Sequence, residues 1–92
     1  MSTSVQTRTV TVEVRFFAAA KAAAGTTAEV LELPAGTTVE GLAAELGERH
    51  GPELAKVLPR CSYLLDEIAV RDTGTALPSS STVDVLPPFA GG

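Results

Sequence analysis

Tryptophan is absent from this sequence, and the aromatics amount to three Phe and one Tyr, 4% of 92 residues. Val, Leu, Ile and Ala must therefore fill the core. A buried ligand pocket of roughly several hundred Å³ would consume much of that core, so none is expected. There is one cysteine, Cys61, and one histidine, His50. A lone cysteine excludes an internal disulfide, and the two residues together cannot supply the ligands of a zinc site. The basic residues stand singly, at Arg8, Arg15, Lys21, Arg49, Lys56, Arg60 and Arg71. Nucleic acids and anionic membranes attract clustered cations, so neither is expected as a partner. The net charge of -4 suits a basic patch on another protein instead. The most apolar stretch, Phe16 to Ala24, is interrupted by Lys21 and is too short to span a bilayer. Met1 to Arg8 is polar and lacks the apolar segment of a secretory signal, which makes the cytosol the expected location.

What is present is ordered by period. The 45% apolar fraction supports one small folded domain without internal repeats. Residues 1–8 read as a flexible tail. Val10, Val12, Val14 and Phe16 then alternate with Thr11, Glu13 and Arg15, the pattern of a half-buried strand. Ala18 to Ala24 reads as a short helix stopped at Gly25. Glu29 to Leu33 reads as a second strand with Leu31 and Leu33 inward. The main helix opens on a capping box, with Thr37 as N-cap and Glu40 three residues on. Val39, Leu42, Ala43 and Leu46 form its apolar stripe, and His50-Gly51-Pro52 stops it. A shorter helical turn, Pro52 to Leu58, buries Leu54, Val57 and Leu58 before Pro59 breaks it. Two short strands, Tyr63-Leu64-Leu65 and Ile68-Ala69-Val70, flank Asp66-Glu67, with their pairing open. Thr82 to Leu86 alternates again, with Val83 and Val85 inward. A hairpin, a helical crossover and a returning strand give an α+β fold, a mixed sheet of about five strands with one main helix packed on it. The ubiquitin-like β-grasp resembles this order, with its last strand beside its first.

Most reactive side chains have plain structural readings. Ser79-Ser80-Ser81 falls in a turn with no base at hand. His50 at a helix C-terminus reads as a cap, and Cys61 before a strand as a buried, inert thiol. What remains is the extended tail, residues 87–92, ending in Gly91 and Gly92. With glycine at about 7% of positions, such an ending arises by chance roughly once in two hundred chains. Pro87-Pro88 hold the chain extended and cannot pair into a growing sheet. From Pro87 to Gly92 the segment reaches about 20 Å at ~3.3 Å per residue. Without side chains, Gly91 and Gly92 fit a narrow channel. A terminal carboxylate, with an ordinary pKa of about 3.3–3.7, is ionised at neutral pH and is a poor electrophile. It needs activation by another protein, as an acyl-adenylate, before it takes sulfur or acylates an amine.

Three segments carry a family resemblance: Val14-Arg15-Phe16-Phe17-Ala18 leading to Gly25, Leu33-Pro34-Ala35-Gly36-Thr37-Thr38-Val39 with Leu42, and Leu77 with Val83-Asp84-Val85-Leu86-Pro87-Pro88-Phe89-Ala90-Gly91-Gly92. Together they resemble the MoaD/ThiS sulfur-carrier family over residues 9–92, and the ending is the specific part. The resemblance implies a β-grasp domain over 9–86. It implies that the Gly92 carboxylate is adenylated by an ATP-using, ubiquitin-activating-type adenylyltransferase and converted to a thiocarboxylate. It implies that the tail then enters a molybdopterin synthase large subunit, in a heterotetramer of two small and two large subunits. There the sulfur goes to cyclic pyranopterin monophosphate. In this picture Gly91 and Ala90 give passage, and Phe89, Pro88, Pro87 and Leu86 meet the partner. The resemblance further implies that the chain binds no cofactor or metal and catalyses nothing alone, the ATP belonging to the activating enzyme. The Pro-Pro pair favours this branch over the thiamine carrier. The alternatives are a sulfur carrier for thiamine, cysteine or a secondary metabolite, and a ubiquitin-like protein modifier.

Overall fold

The strict alternation from Val10 to Phe16 becomes strand β1, Thr9–Phe16, in a computed structural model that describes residues 8–88. Expectations placed on residues 1–7 and on Phe89, Ala90, Gly91 and Gly92 lie outside the described residues. Val12 and Val14 are fully buried, and the chain leaves the strand into helix α1, Ala18–Ala24. Gly25 ends that helix with φ at 77°, a left-handed position that costs glycine little. Strand β2, Ala28–Pro34, returns antiparallel to β1 and turns Leu31 and Leu33 inward. The ladder begins one residue earlier than β1, where the Ala35 amide donates to the Arg8 carbonyl at 3.0 Å.

Helix α2, Val39–His50, buries Val39, Leu42 and Leu46 as the spacing requires. Its N-cap is Thr38, one residue later than the capping box placed it. The Thr38 hydroxyl accepts from the Gly41 amide at 3.0 Å, whereas Thr37 donates its own hydroxyl back to the Pro34 carbonyl. The third helical residue is then Gly41, so Glu40 cannot close the box. The next loop supplies the remaining acceptors: Thr75 takes the Val39 amide and Thr73 the Glu40 amide. Two adjacent threonines compete for the cap, and this distant loop decides between them. Thr38→Ala is therefore expected to lower stability by about 1 kcal/mol in urea unfolding, while Thr37→Ala moves it less. Equal effects would contradict the assigned cap.

Gly51, at φ 93°, ends α2 and admits α3, Pro52–Val57, which buries Leu54. The α-helix ends at Val57, one residue before the expected Leu58. Pro59 follows inside a 3-10 turn, Leu58–Arg60, where its missing amide leaves no bond unmade. Leu58 is buried and Val57 only half-buried.

The open question of pairing between the short strands resolves as a hairpin of β3, Ser62–Leu65, and β4, Ile68–Ala69. Asp66 and Glu67 form its tip with positive φ, 49° and 71°. Asp66 is anchored there by exchanging hydrogen bonds with the Thr82 backbone, its carboxylate taking the amide at 2.9 Å. Strand β5, Ser80–Leu86, begins inside the serine cluster that the sequence placed in a turn. It runs parallel to β1 and antiparallel to β3, giving the sheet order β2-β1-β5-β3-β4. This is the ubiquitin-like β-grasp. One apolar cluster joins the inward residues of all three helical segments to Val12, Val14, Val83 and Val85.

Candidate functional site

The last strand lies at the centre of the sheet, so whatever follows it leaves from the stiffest part of the molecule. Val83 and Val85 are fully buried on the helix side. At the outgoing end the Phe17 amide donates to the Val85 carbonyl at 3.2 Å, and Leu86 stands opposite Ser62. Then come Pro87 and Pro88, which have no amide hydrogen to extend the ladder. Leu86 and Pro87 are half-buried and Pro88 is exposed. The described chain thus stops pairing at Leu86, where the expected tail, residues 87–92, begins.

The sheet face turned away from the helices carries features that sequence reading missed. Arg15 and Asp84 stand opposite each other on the parallel β1–β5 ladder. Arg15 donates through Nε to Asp84 Oδ1 at 2.6 Å and through Nη2 to Oδ2 at 3.0 Å. The Asp84 side chain is 8% exposed and that of Arg15 40%, so the carboxylate lies behind and the guanidinium in front. The hydrogen bond and then the charge of Asp84 push the guanidinium up from its ordinary pKa. Phe17, next to the buried Phe16, is 41% exposed at the same end of the sheet. Its signal in the sequence was a second aromatic directly after the alternation ended.

The other candidate side chains have structural partners. His50 Nε2 meets Glu29 Oε1 at 2.5 Å and its ring stands edge-on to Phe16, tying the end of α2 to β2. Cys61 is half-buried rather than buried. Its thiol donates to the Val57 carbonyl at 3.3 Å, and burial pushes its pKa up, away from the reactive thiolate. The neighbouring Tyr63 hydroxyl donates to the Leu58 carbonyl, and burial pushes its pKa up to about 12. Ser81 Oγ is enclosed without a hydrogen-bond partner, so no base serves it. Among the described residues no three His, Cys, Asp or Glu side chains gather as metal ligands, and no helix is long and apolar enough to cross a membrane. A surface dip of about 500 Å³ beside the β3–β4 hairpin is lined by Leu65, Ile68, Ala69 and Val70 with Arg71 and Asp72, and contains no His, Cys or Ser.

The sequence profile of the ThiS family matches residues 14–92, from the middle of β1 through the glycine pair. The chain belongs to the ThiS family. It is thus a ubiquitin-like carrier or modifier of the ThiS/MoaD type. Among solved structures, this ThiS-family chain is similar to the putative molybdopterin converting factor subunit 1 of Pyrococcus furiosus. The identity is 25% and the TM-score 0.73, over 87% of this chain and 99% of that one. It is also similar to subunit 1 in the complex of subunits 1 and 2 of the molybdopterin-converting factor from Helicobacter pylori. There the identity is 26% and the TM-score 0.66, over 90% and 100%. Small archaeal modifier protein 1 of Haloferax volcanii shares the fold, with a TM-score of 0.76 at 20% identity over 87% and 99%. No curated protein matches the sequence.

Proposed function

We infer that this chain is the sulfur carrier of molybdopterin assembly. In this reading the Gly92 carboxylate attacks ATP on an activating enzyme to form an acyl-adenylate and pyrophosphate. Sulfide-level sulfur then attacks the acyl carbon and displaces AMP, so that a C–S bond replaces the C–O bond to AMP and a thiocarboxylate remains. The tail next enters a large synthase subunit and passes its sulfur to cyclic pyranopterin monophosphate. Two small and two large subunits make up the working complex, and the chemistry takes place in the cytoplasm.

Two observations carry the reading: the family match covers residues 14–92, and the strand before the tail sits at the sheet centre. The carrier contributes position rather than catalysis. β5 is held on both sides, Pro87 and Pro88 keep the departing chain straight, and Gly91 and Gly92 take little room. Two relatives at 25% and 26% identity are described as molybdopterin converting factor subunits, which supports that branch. Incubating the full chain with ATP, an activating enzyme and a sulfur source is expected to replace one C-terminal oxygen by sulfur in the intact mass. Adding the large subunit and the precursor is then expected to yield molybdopterin. Sulfur uptake without molybdopterin would assign the carrier to thiamine, cysteine or another metabolite. Branched conjugates on lysine would make it a protein modifier.

A further inference from the structure

The two ladders fix which way each backbone group of β5 points, and they give the two prolines after the strand different neighbours. Thr11 and Phe17 donate their amides to the carbonyls of Ser79 and Val85, at 3.0 and 3.2 Å. Odd residues of β5 therefore face β1. On this parallel ladder a β1 residue that donates to one odd carbonyl accepts from the next odd amide. On the other side the Asp66 amide donates to the Thr82 carbonyl at 2.8 Å, so even residues face β3. Carried one step past Leu86, the pattern aims the amide of residue 87 at the carbonyl of Phe17. Residue 87 is proline and has no such hydrogen. That carbonyl is already in use. It accepts the Ala20 amide at 3.0 Å and the Lys21 amide at 3.3 Å, closing the first turn of α1. Residue 88 faces the other side, where β3 begins only at Ser62, opposite Leu86, and a 3-10 turn precedes it.

Resting on the sulfur-carrier reading, we propose that Pro87 is a positioning residue: lacking an amide hydrogen, it keeps the tail from adding one more rung to its own sheet. β5 is a central strand, and such a strand extends wherever a donor meets a neighbour's carbonyl. An ordinary residue at position 87 would bond to Phe17, in competition with α1, and the free tail would begin at residue 88. The carboxylate would then reach about 3.3 Å less far unless that bond were broken first. Self-pairing thus competes with entry of the tail into an activating enzyme. With proline the competitor does not exist, and the Phe17 carbonyl stays with α1. The two prolines are not equivalent. Both are stiff, but Pro87 is the one that removes a donor with a strand carbonyl in register.

The test must separate the missing donor from the stiff ring. Three full-length carriers do so: Pro87→Ala, Pro88→Ala, and one made by semisynthesis with N-methylalanine at position 87, which has neither ring nor amide hydrogen. Hydrogen exchange followed by NMR is expected to find the new amide at position 87 at least about tenfold slower than in an unstructured peptide. The new amide at position 88 is expected to exchange freely. In ATP–pyrophosphate exchange by the adenylyltransferase purified from the same cells, Pro87→Ala is expected to raise the half-saturating carrier concentration about fivefold. Maximal exchange stays unchanged, because the bond is already broken once the tail is seated, and N-methylalanine restores the original concentration. A freely exchanging amide at position 87 would overturn the proposal. So would a protected amide with an unchanged half-saturating concentration. An N-methylalanine carrier as impaired as Pro87→Ala would overturn it by assigning the effect to the ring. If the unsubstituted carrier supports no ATP–pyrophosphate exchange, the sulfur-carrier reading fails, while the amide still decides whether Pro87 holds the tail off the sheet.

Discussion

A carrier shortened by Gly92 alone is expected to lose activation and sulfur uptake by at least about a thousandfold while melting at essentially the same temperature. Among the described residues, the ladder ends at Leu86 and the buried cluster at Val85. The chemistry, by contrast, depends on where the carboxylate arrives. Removing one residue withdraws it by about 3.3 Å, and a misplacement of even ~1 Å can cost on the order of a hundredfold. Adding one alanine after Gly92 is expected to be as damaging, because the reactive carboxylate then sits beyond its position on a side-chain-bearing residue. Steady-state sulfur incorporation and thermal melting on the same samples check both halves. A truncated carrier that still takes up sulfur would remove Gly92 from the reaction. A truncated carrier that unfolds would make the tail structural.

Leu42→Ala is expected to have the largest effect on stability, about 3–5 kcal/mol in urea unfolding. Leu42 is fully buried on α2, inside the cluster shared by the helices and the central strands. Its loss leaves a cavity between α2 and the sheet that well-packed neighbours fill only in part. Val14→Ala, equally buried on β1, removes less volume and is expected to cost about 2 kcal/mol. For a domain whose whole stability is on the order of 5–10 kcal/mol, the leucine change consumes a large share and lowers the melting temperature by more than about 12 °C. A loss below about 1 kcal/mol would mean that α2 does not seal the core. Below its melting point, this variant should still be activated, because the change lies in the core on the helix side of the sheet.

Periodicity alone carried most of the architecture. The alternation in β1 and β5 and the stripe on α2 each have one face that must be buried, so the element types and inward residues were legible. Where two solutions were locally equal, the sequence could not choose. Thr37 and Thr38 are equivalent as caps until the 73–75 loop arrives to accept the first helical amides. Pro59 ends the α-helix as it reads, but the 3-10 turn that then carries it was not legible. The β3–β4 hairpin hid because its tip has Asp66-Glu67 rather than a glycine turn, and its stability comes from Thr82, far along the chain. The same limit applies to the sheet face away from the helices. Arg15 and Asp84 are 69 residues apart, and only the register of the parallel ladder brings them together. The glycine pair, in contrast, needed no tertiary information to attract notice.

The central claim concerns one carbonyl carbon, and mass spectrometry of the C-terminal peptide from protein isolated in its native cells addresses it most directly. The account expects a peptide ending at Gly92, with a fraction carrying sulfur in place of one carboxyl oxygen, and that fraction disappearing when the activating enzyme is deleted. A native chain that continues past Gly92, or ends before it, with no sulfur-bearing form under any sulfur supply, would contradict it.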